Sequence, residues 1–480
     1  VARYAVNCEK AGVPAVALGF ADQIGFARNT ALVAGVPNIR WIDVPRTGTG
    51  AERAATFIDA ALKALTDPLT AKEKESGLYT PPPPPRIIFE GTLLDAQEFF
   101  QQTTPIANCR NCPISKYTDG LPIVIPTEEA VKEMLTGTSH KPDEEIYSYT
   151  RDATTGAITK GTTPVTYAQG YKTTVEKVAT VAVMAGCKPE YLPVVLAVAA
   201  AGGGSTNCPG TSNHSGFMYI VSGPIAKEIG MNAGQQALDV GNQANMTIAR
   251  SANLITIDFG GCITGAVRSD SGSPFRVAFA EDDEGLPTGW ETLREEGGYK
   301  LTDSALGKVV TAEFSGTAEW GNKPSSFRAL VSSGAGGMAV RLGVEGIPGP
   351  HNFLEYIAPL VYPHSIEFPY TFVMHPNMAK SLYDYGFKKK KDVYQWLYDT
   401  YYVTIGEYKG YGDWDFLTAA GTRLIPGTNM MYKDAPNDYK LHAFGISGPN
   451  SRIVVSIGFA DEICWVFSSA PTLLPIDVWK

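Results

Sequence analysis

The hydrophobic pattern opens as alternating helix and strand. Val1–Lys10 carries apolar residues at helical spacing and runs into Gly12 and Pro14, which predicts a helix with an ordinary C-terminal stop. Ala15–Gly19 reads as a strand, Ala21–Ala34 as a helix closed by Gly35, Ile39–Val44 as a second strand and Arg53–Leu65 as an amphipathic helix. This αβαβα order predicts part of a doubly wound domain. Val1 is not an initiator Met, the first helix has no cap ahead of it, and two strands are fewer than such a sheet uses. The expectation is that a second polypeptide supplies the missing strand and the strand-to-helix turn, where open α/β sheets carry their chemistry.

Asp67–Arg86 is charged and ends in five prolines, Pro81 to Pro85, which favour a semi-rigid polyproline II spacer. Beyond it, helices are predicted over Thr127–Leu135, Thr173–Ala185, Tyr191–Ala201, Pro224–Ile229, Ala233–Ala249 and Tyr383–Tyr401, with strands at Met218–Ser222, Ile453–Ile457 and Ile463–Phe467. No convincing internal repeat is visible. The expected class is α/β: an incomplete doubly wound domain over residues 1–66 completed by a partner chain, a linker over 67–86, a larger α/β domain over 87–340 and a mixed α+β region over 341–480.

The 480 residues are 44% hydrophobic, enough for sizeable cores, and the net charge of −9 argues against a nucleic-acid surface. The single basic run, Lys388–Lys391, sits beside aromatic residues and reads as a solvated helix start. The apolar stretch Leu192–Ala201 gives way to three glycines before it reaches the length of a membrane span. Seven unevenly spaced cysteines do not make a disulfide framework, so a reducing cytoplasm is expected.

Several segments then become recognisable. Tyr117–Thr127 (YTDGLPIVIPT), Thr174–Pro193 (TVEKVATVAVMAGCKPEYLP) and Val221–Gly230 (VSGPIAKEIG) resemble the UGSC-type (seleno)protein family, named for a selenocysteine-or-cysteine, Gly, Ser, Cys motif. A weaker likeness runs through Pro350–Asn352, Met374–Lys380 and the region near Gly448, and Glu9–Val16 is similar to the selenoprotein B component of glycine, betaine and proline reductases. The likeness covers most of the chain, yet the motif itself is missing. In those relatives it lies just ahead of the first helix. The resemblance therefore implies the larger part of a heteromeric enzyme, in a higher oligomer, whose Cys or selenocysteine comes from a partner. It also implies thiol or selenol chemistry on a small polar organic molecule, with reductive carbon–heteroatom cleavage leading; a non-redox hydrolase or lyase and a non-catalytic scaffold are the alternatives.

Candidate residues follow from both readings. Cys109 and Cys112 form the sole CxxC, which suits a dithiol couple that resolves a mixed disulfide; without a second CxxC or a His pair at finger spacing it does not suit a zinc finger, and two ordinary reduced thiols are the plain reading. Asp119 lies in a turn signature, where it either faces the site or bonds its own backbone. Glu176 sits in an apolar helix and would work as acid or base, unless it is a helix-start charge. The loop Gly202–His214 concentrates small polar donors, and Ser205, Thr206, Asn207, Asn213 and His214 are its candidates for substrate contact. Cys208 with His214 would need metal ligands from elsewhere, so no metal is expected and the residues name no cofactor. Cys187 reads as a small buried hydrophobe. His351 and Asn352 are the later candidates, His351 for proton transfer; His364 and His375, in similar Pro-rich loops, read as structural.

Overall fold

The structure, a computed structural model, describes residues 2–21, 24–77, 85–105, 113–152, 154–165, 167, 173–202, 217–237, 240–260, 276–310, 324–326, 369–410, 424–445, 448–456, 463–467 and 469–480. The first module holds α1 (Ala2–Lys10), β1 (Ala17–Gly19), α2 (Ile24–Val33), β2 (Trp41–Asp43) and α3 (Gly50–Thr66), in the order the pattern predicts. β1 and β2 pair in parallel over a small core of Ala5, Val6, Ala15, Ala17, Ala31 and Ile39. Thr49 and Glu52 close a capping box at the start of α3, so three residues ahead of Arg53 join the predicted helix. Arg40 closes the module through a 2.9 Å ion pair that holds the Glu73 carboxyl down at about 2. A complete doubly wound sheet is not seen among the described residues.

The second region begins with α4 (Leu93–Phe100), the antiparallel pair β3 (Thr103–Pro105) and β4 (Pro113–Ser115), α5 (Glu128–Met134), the hairpin β5 (Tyr147–Arg151) and β6 (Ile158–Pro164), α6 (Val175–Ala185) and α7 (Leu192–Ala200). It continues as β7 (Phe217–Ser222), α8 (Pro224–Glu228), α9 (Gln243–Asp258), β8 (Arg276–Ala280), α10 (Leu293–Glu296), β9 (Ala305–Val310) and β10 (Pro324–Ser326). The last stretch holds β11 (Thr371–Met374), α11 (Pro376–Tyr385), α12 (Lys390–Thr400), β12 (Tyr402–Thr404), α13 (Ile405–Gly410), β13 (Lys440–His442), β14 (Arg452–Val455), β15 (Ile463–Phe467) and β16 (Thr472–Pro475).

Two four-stranded sheets, ordered β16-β9-β7-β8 and β10-β15-β11-β14, form the centre. Because side chains alternate along a strand, each apolar strand feeds two cores. Phe217, Tyr219 and Val221 of β7 pack against α6, α7 and α9, whereas Met218 and Ile220 turn the other way and meet Val373 and Val454 of the second sheet. Phe372, Met374, Ile453 and Val455 in turn face Met378, Leu382, Val393 and Leu397 of α11 and α12. The result is four layers: helices, sheet, sheet, helices. At the seam, Asp282 N donates to Val455 O at 2.8 Å and Ser456 Oγ donates to Ala280 O at 2.8 Å.

The two sheets repeat one topology. A central strand pairs in parallel with the next strand of its helix layer (β7 with β8, β11 with β14) and antiparallel with a third (β9, β15). The fourth strands are exchanged: β16 pairs with β9, and β10 pairs with β15, so the sheets share strands across position 340. Each central strand is apolar and is followed, one residue on, by a helix that opens on a proline, Pro224 after β7 and Pro376 after β11. The likeness is apolar character rather than identity, which is why it is not visible along the chain.

Three readings of the pattern change. The helix expected over Ala233–Ala249 begins only at Gln243 and runs to Asp258. Asparagine side chains hold the preceding loop instead, with Asn232 Nδ2 on Gln235 O at 2.9 Å and Asn245 Nδ2 on Ala237 O at 2.9 Å. The helix expected over Tyr383–Tyr401 is two, broken at Gly386, whose φ of 141° no L residue takes readily. That break turns Lys390 inward, so the basic run is not wholly solvated: Lys390 is 2% exposed.

Candidate functional site

Asp119 is fixed by its own turn. Ser115 Oγ accepts from Thr118 N at 3.2 Å, Thr118 Oγ1 accepts from Gly120 N at 3.1 Å, and Asp119 Oδ1 accepts from Leu121 N at 3.3 Å. Gly120 takes φ 87°, the left-handed position that the Asp-Gly pair supplies. The carboxylate then reaches α9, where Arg250 grips it with two bonds of 2.9 and 3.0 Å, and the same guanidinium donates to Pro122 O at 2.8 Å. Asp119 thus satisfies its backbone and faces a cation at once, at only 15% side-chain exposure.

Asp258 stands eight residues after Arg250, roughly 12 Å along the helix axis. Its Oδ2 is enclosed with no hydrogen-bond partner among the described residues, although the residue retains some solvent-accessible surface. Burial, and then the charge of Asp119, push this carboxyl up to about 8. At neutral pH it carries a proton. A buried, protonated carboxyl that feels the charge of an ion-paired one, without touching it, fits the pattern in which two acids take opposite roles.

Helix packing gathers this end of the layer. Tyr167 OH donates to Ala199 O at 3.0 Å and its ring meets Phe259 edge-on at 5.5 Å, which brings the C-termini of α7 and α9 together. Cys187, just past α6, bonds Thr247 near the start of α9, so α6 and α9 run antiparallel and Glu176 lies toward the same end as Asp258. Glu176 occupies the first turn of α6 and is paired with Arg86 at 2.9 Å, while the same guanidinium also binds Glu128. The helix-start reading of Glu176 matches this position. Burial pushes the Cys187 thiol up to about 12, far from a thiolate, as a small buried hydrophobe should be.

Cys109, Cys112, Ser205, Thr206, Asn207, Cys208, Asn213, His214, His351, Asn352 and His364 lie outside the described residues. Of the candidates, Asp119 and Glu176 are described, on the same helix layer, and Asp119 alone joins the Arg250–Asp258 group. Sequence reasoning missed Arg250 and Asp258 because the helix was ended one residue before Arg250. Their signal is there in retrospect: two charged residues, two turns apart, in the apolar run Ile248–Asp258.

A second polar cluster ties the layers at the carboxyl ends of β7 and β8. Glu281, 0% exposed, accepts from Ser222 Oγ at 2.6 Å and from Leu293 N at 2.8 Å. Lys390 reaches in from α12, 3.5 Å from Glu281 and 3.4 Å from Glu296, and Tyr394 OH donates to Glu296 at 2.8 Å. Arg294 grips Asp283 through both nitrogens. Burial raises both Glu281 and Glu296, with Lys390 pulling each back down. Every charge here has a partner of opposite sign, so the cluster reads as a clamp between the two halves.

Among the described residues no group of three His, Cys, Asp or Glu side chains is placed to hold a metal ion, and no helix is long and apolar enough to cross a membrane. No family model, curated protein or solved structure matches this chain.

Proposed function

We propose that this chain is the larger subunit of a heteromeric enzyme that cleaves a carbon–heteroatom bond of a small polar organic molecule with a thiol or selenol supplied by a partner polypeptide. The observation that carries the reading is the Asp258 carboxyl, whose enclosed oxygen has no hydrogen-bond partner among the described residues and which burial and then the charge of Asp119 raise to about 8. In the first step the thiolate forms a carbon–sulfur bond while the carbon–heteroatom bond breaks, and Asp258 gives its proton to the departing heteroatom. A second thiol, for which Cys109 and Cys112 are the candidates, then attacks the sulfur; a disulfide forms, carbon keeps the electron pair and takes a proton, and an external dithiol restores the couple. Asp119, paired with Arg250, helps to raise Asp258.

The first module supports the partner. α3 buries none of its residues, and Ile58, Leu62 and Leu65 form an exposed apolar stripe at i, i+4 and i+7 beside a parallel pair only three residues long. A second polypeptide that adds strands there would cover both. Sparse cysteines suit a reducing cytoplasm, where the thiols of such a cycle stay reduced.

The test is turnover by the assembled protein. Because the donor must be protonated, kcat should fall as pH rises through about 8, and Asp258→Asn should remove that limb along with most of the rate. Oxidation of one dithiol per product is expected. Substrate loss without any dithiol would replace the reductase by a lyase or hydrolase, and native mass spectrometry showing this chain alone, folded and active, would remove the partner.

A further inference from the structure

A short turn holds the tail Ile476–Lys480 in place. After β16, Ile476 and Trp479 enter the core that α7 helps to build, and Trp479 is 1% exposed. Three consecutive side chains shortly after α5 take the carbonyls of this tail. Thr138 Oγ1 donates to Trp479 O at 2.6 Å, Ser139 Oγ donates to Lys480 O at 2.6 Å, and His140 Nε2 lies 2.6 Å from Val478 O. The tail thereby anchors β16, the strand that the last stretch of the chain lends to the first sheet.

His140 differs from the two hydroxyls because it can change charge. Its other nitrogen, Nδ1, lies 2.8 Å from Glu144 Oε2, so both ring nitrogens face oxygen acceptors. A neutral imidazole has one N–H and cannot serve both, whereas an imidazolium serves both. The ring is largely enclosed, at 16% side-chain exposure, with the Trp479 ring 5.1 Å away. Lys160 of β6 stands 3.5 Å from the second Glu144 oxygen, and Lys141, Asp143 and Glu145 flank the pair along the turn. On the tail, Asp477 pairs with Lys480 at 2.8 Å, Glu228 just past the same lysine at 3.6 Å comes from α8, and Tyr149 of β5 meets Trp479 edge-on. Burial works to raise the Glu144 carboxyl, yet His140 and Lys160 hold it below the usual carboxylate range. Burial likewise works to lower Lys480, yet Asp477 and Glu228 raise it, so both groups are moved away from neutrality.

We propose that His140 is a pH-sensitive latch on this tail: its imidazolium bridges the Glu144 carboxylate and the Val478 carbonyl, and loss of one ring proton loosens Ile476–Lys480 and with it β16. The bond to the carboxylate is the stronger of the two, so the one given up is the bond to Val478 O. Because the closed tail needs both ring protons, it binds the second one more tightly than the released tail does. The latch is therefore complete at acid pH and is lost as pH rises through the range where imidazoles titrate. Thr138 and Ser139 do not titrate there, so the tail loosens without detaching. None of this depends on the proposed chemistry.

Amide hydrogen exchange of the full chain, read by mass spectrometry on the peptide holding Ile476–Lys480, tests the latch, with β7 as the reference for global opening. After correction for intrinsic exchange rates, protection of the tail relative to β7 should fall about tenfold between pH 5.5 and pH 8, the low end for losing one hydrogen bond from a charged donor. His140→Gln should show no such fall and keep the low protection of the wild type at pH 8. Glu144→Gln leaves an acceptor for Nδ1 but removes the charge that favours the imidazolium, so it should move the fall to lower pH. Circular dichroism confirms that both variants fold. Tail protection that is flat relative to β7, an equal fall in His140→Gln, or a fall at unchanged pH in Glu144→Gln overturns the proposal.

Discussion

Replacing Asp258 by Asn keeps the shape of the side chain and removes its titration. In the folded chain this carboxyl moves from 3.8 to about 8. Between those values the native state holds a proton that the unfolded chain has released. Stability therefore falls as pH rises from about 4 to about 8, is complete below that window and is flat above it. At about 1.36 kcal/mol per unit, a shift of roughly four units sets a ceiling of about 5–6 kcal/mol, and water reaching the partly open residue reduces it to a few kcal/mol. The variant should match the wild type near pH 4.5 and exceed it by a few kcal/mol near pH 9. Urea unfolding followed by tryptophan fluorescence across that range measures this, and the difference between the two proteins cancels every other titration. A difference that stays within about 0.5 kcal/mol at all pH values, or that grows toward acid, would refute the assignment of a raised pKa to this residue.

Lys390→Met strips the shared lysine from two buried carboxylates, so it should cost about 3–5 kcal/mol at pH 8 and recover much of that at lower pH, where Glu281 and Glu296, already raised, take up protons; unfolding midpoints at pH 8 and pH 5 check this, and a loss independent of pH would count against the clamp. Cys187→Ala should leave turnover unchanged, and in the wild type this thiol should resist iodoacetamide below about pH 10, read by peptide mass spectrometry, because burial holds it as the neutral thiol.

Much of the local structure was legible. The αβαβα order of the first module, the helices α6 and α7 and the strands β7, β14 and β15 all follow from period and from glycine and proline stops. Where the reading slipped, a side chain outweighed propensity. Asparagines at 232, 242 and 245 bond the backbone of a loop that otherwise looks helical, and Gly386 splits an aromatic helix that would otherwise run on. Asp119 was legible as a turn residue and a site candidate. Its partner was not, because Arg250 is 131 positions away and no local pattern links them.

The sequence by itself determined the class of elements, the acidic and cysteine-poor character of the chain and the turn that aims Asp119, since these follow from composition or from neighbours within a turn or two. Tertiary structure alone decided the four layers, the exchange of β10 and β16 between sheets, the burial of Lys390 and the protonation of Asp258. The physical reason is the same throughout: alternation says that a strand has two faces but not what covers them, and the free energy of a buried charge depends on the distance to other charges and to water. Those distances exist only once segments far apart in the chain have packed together.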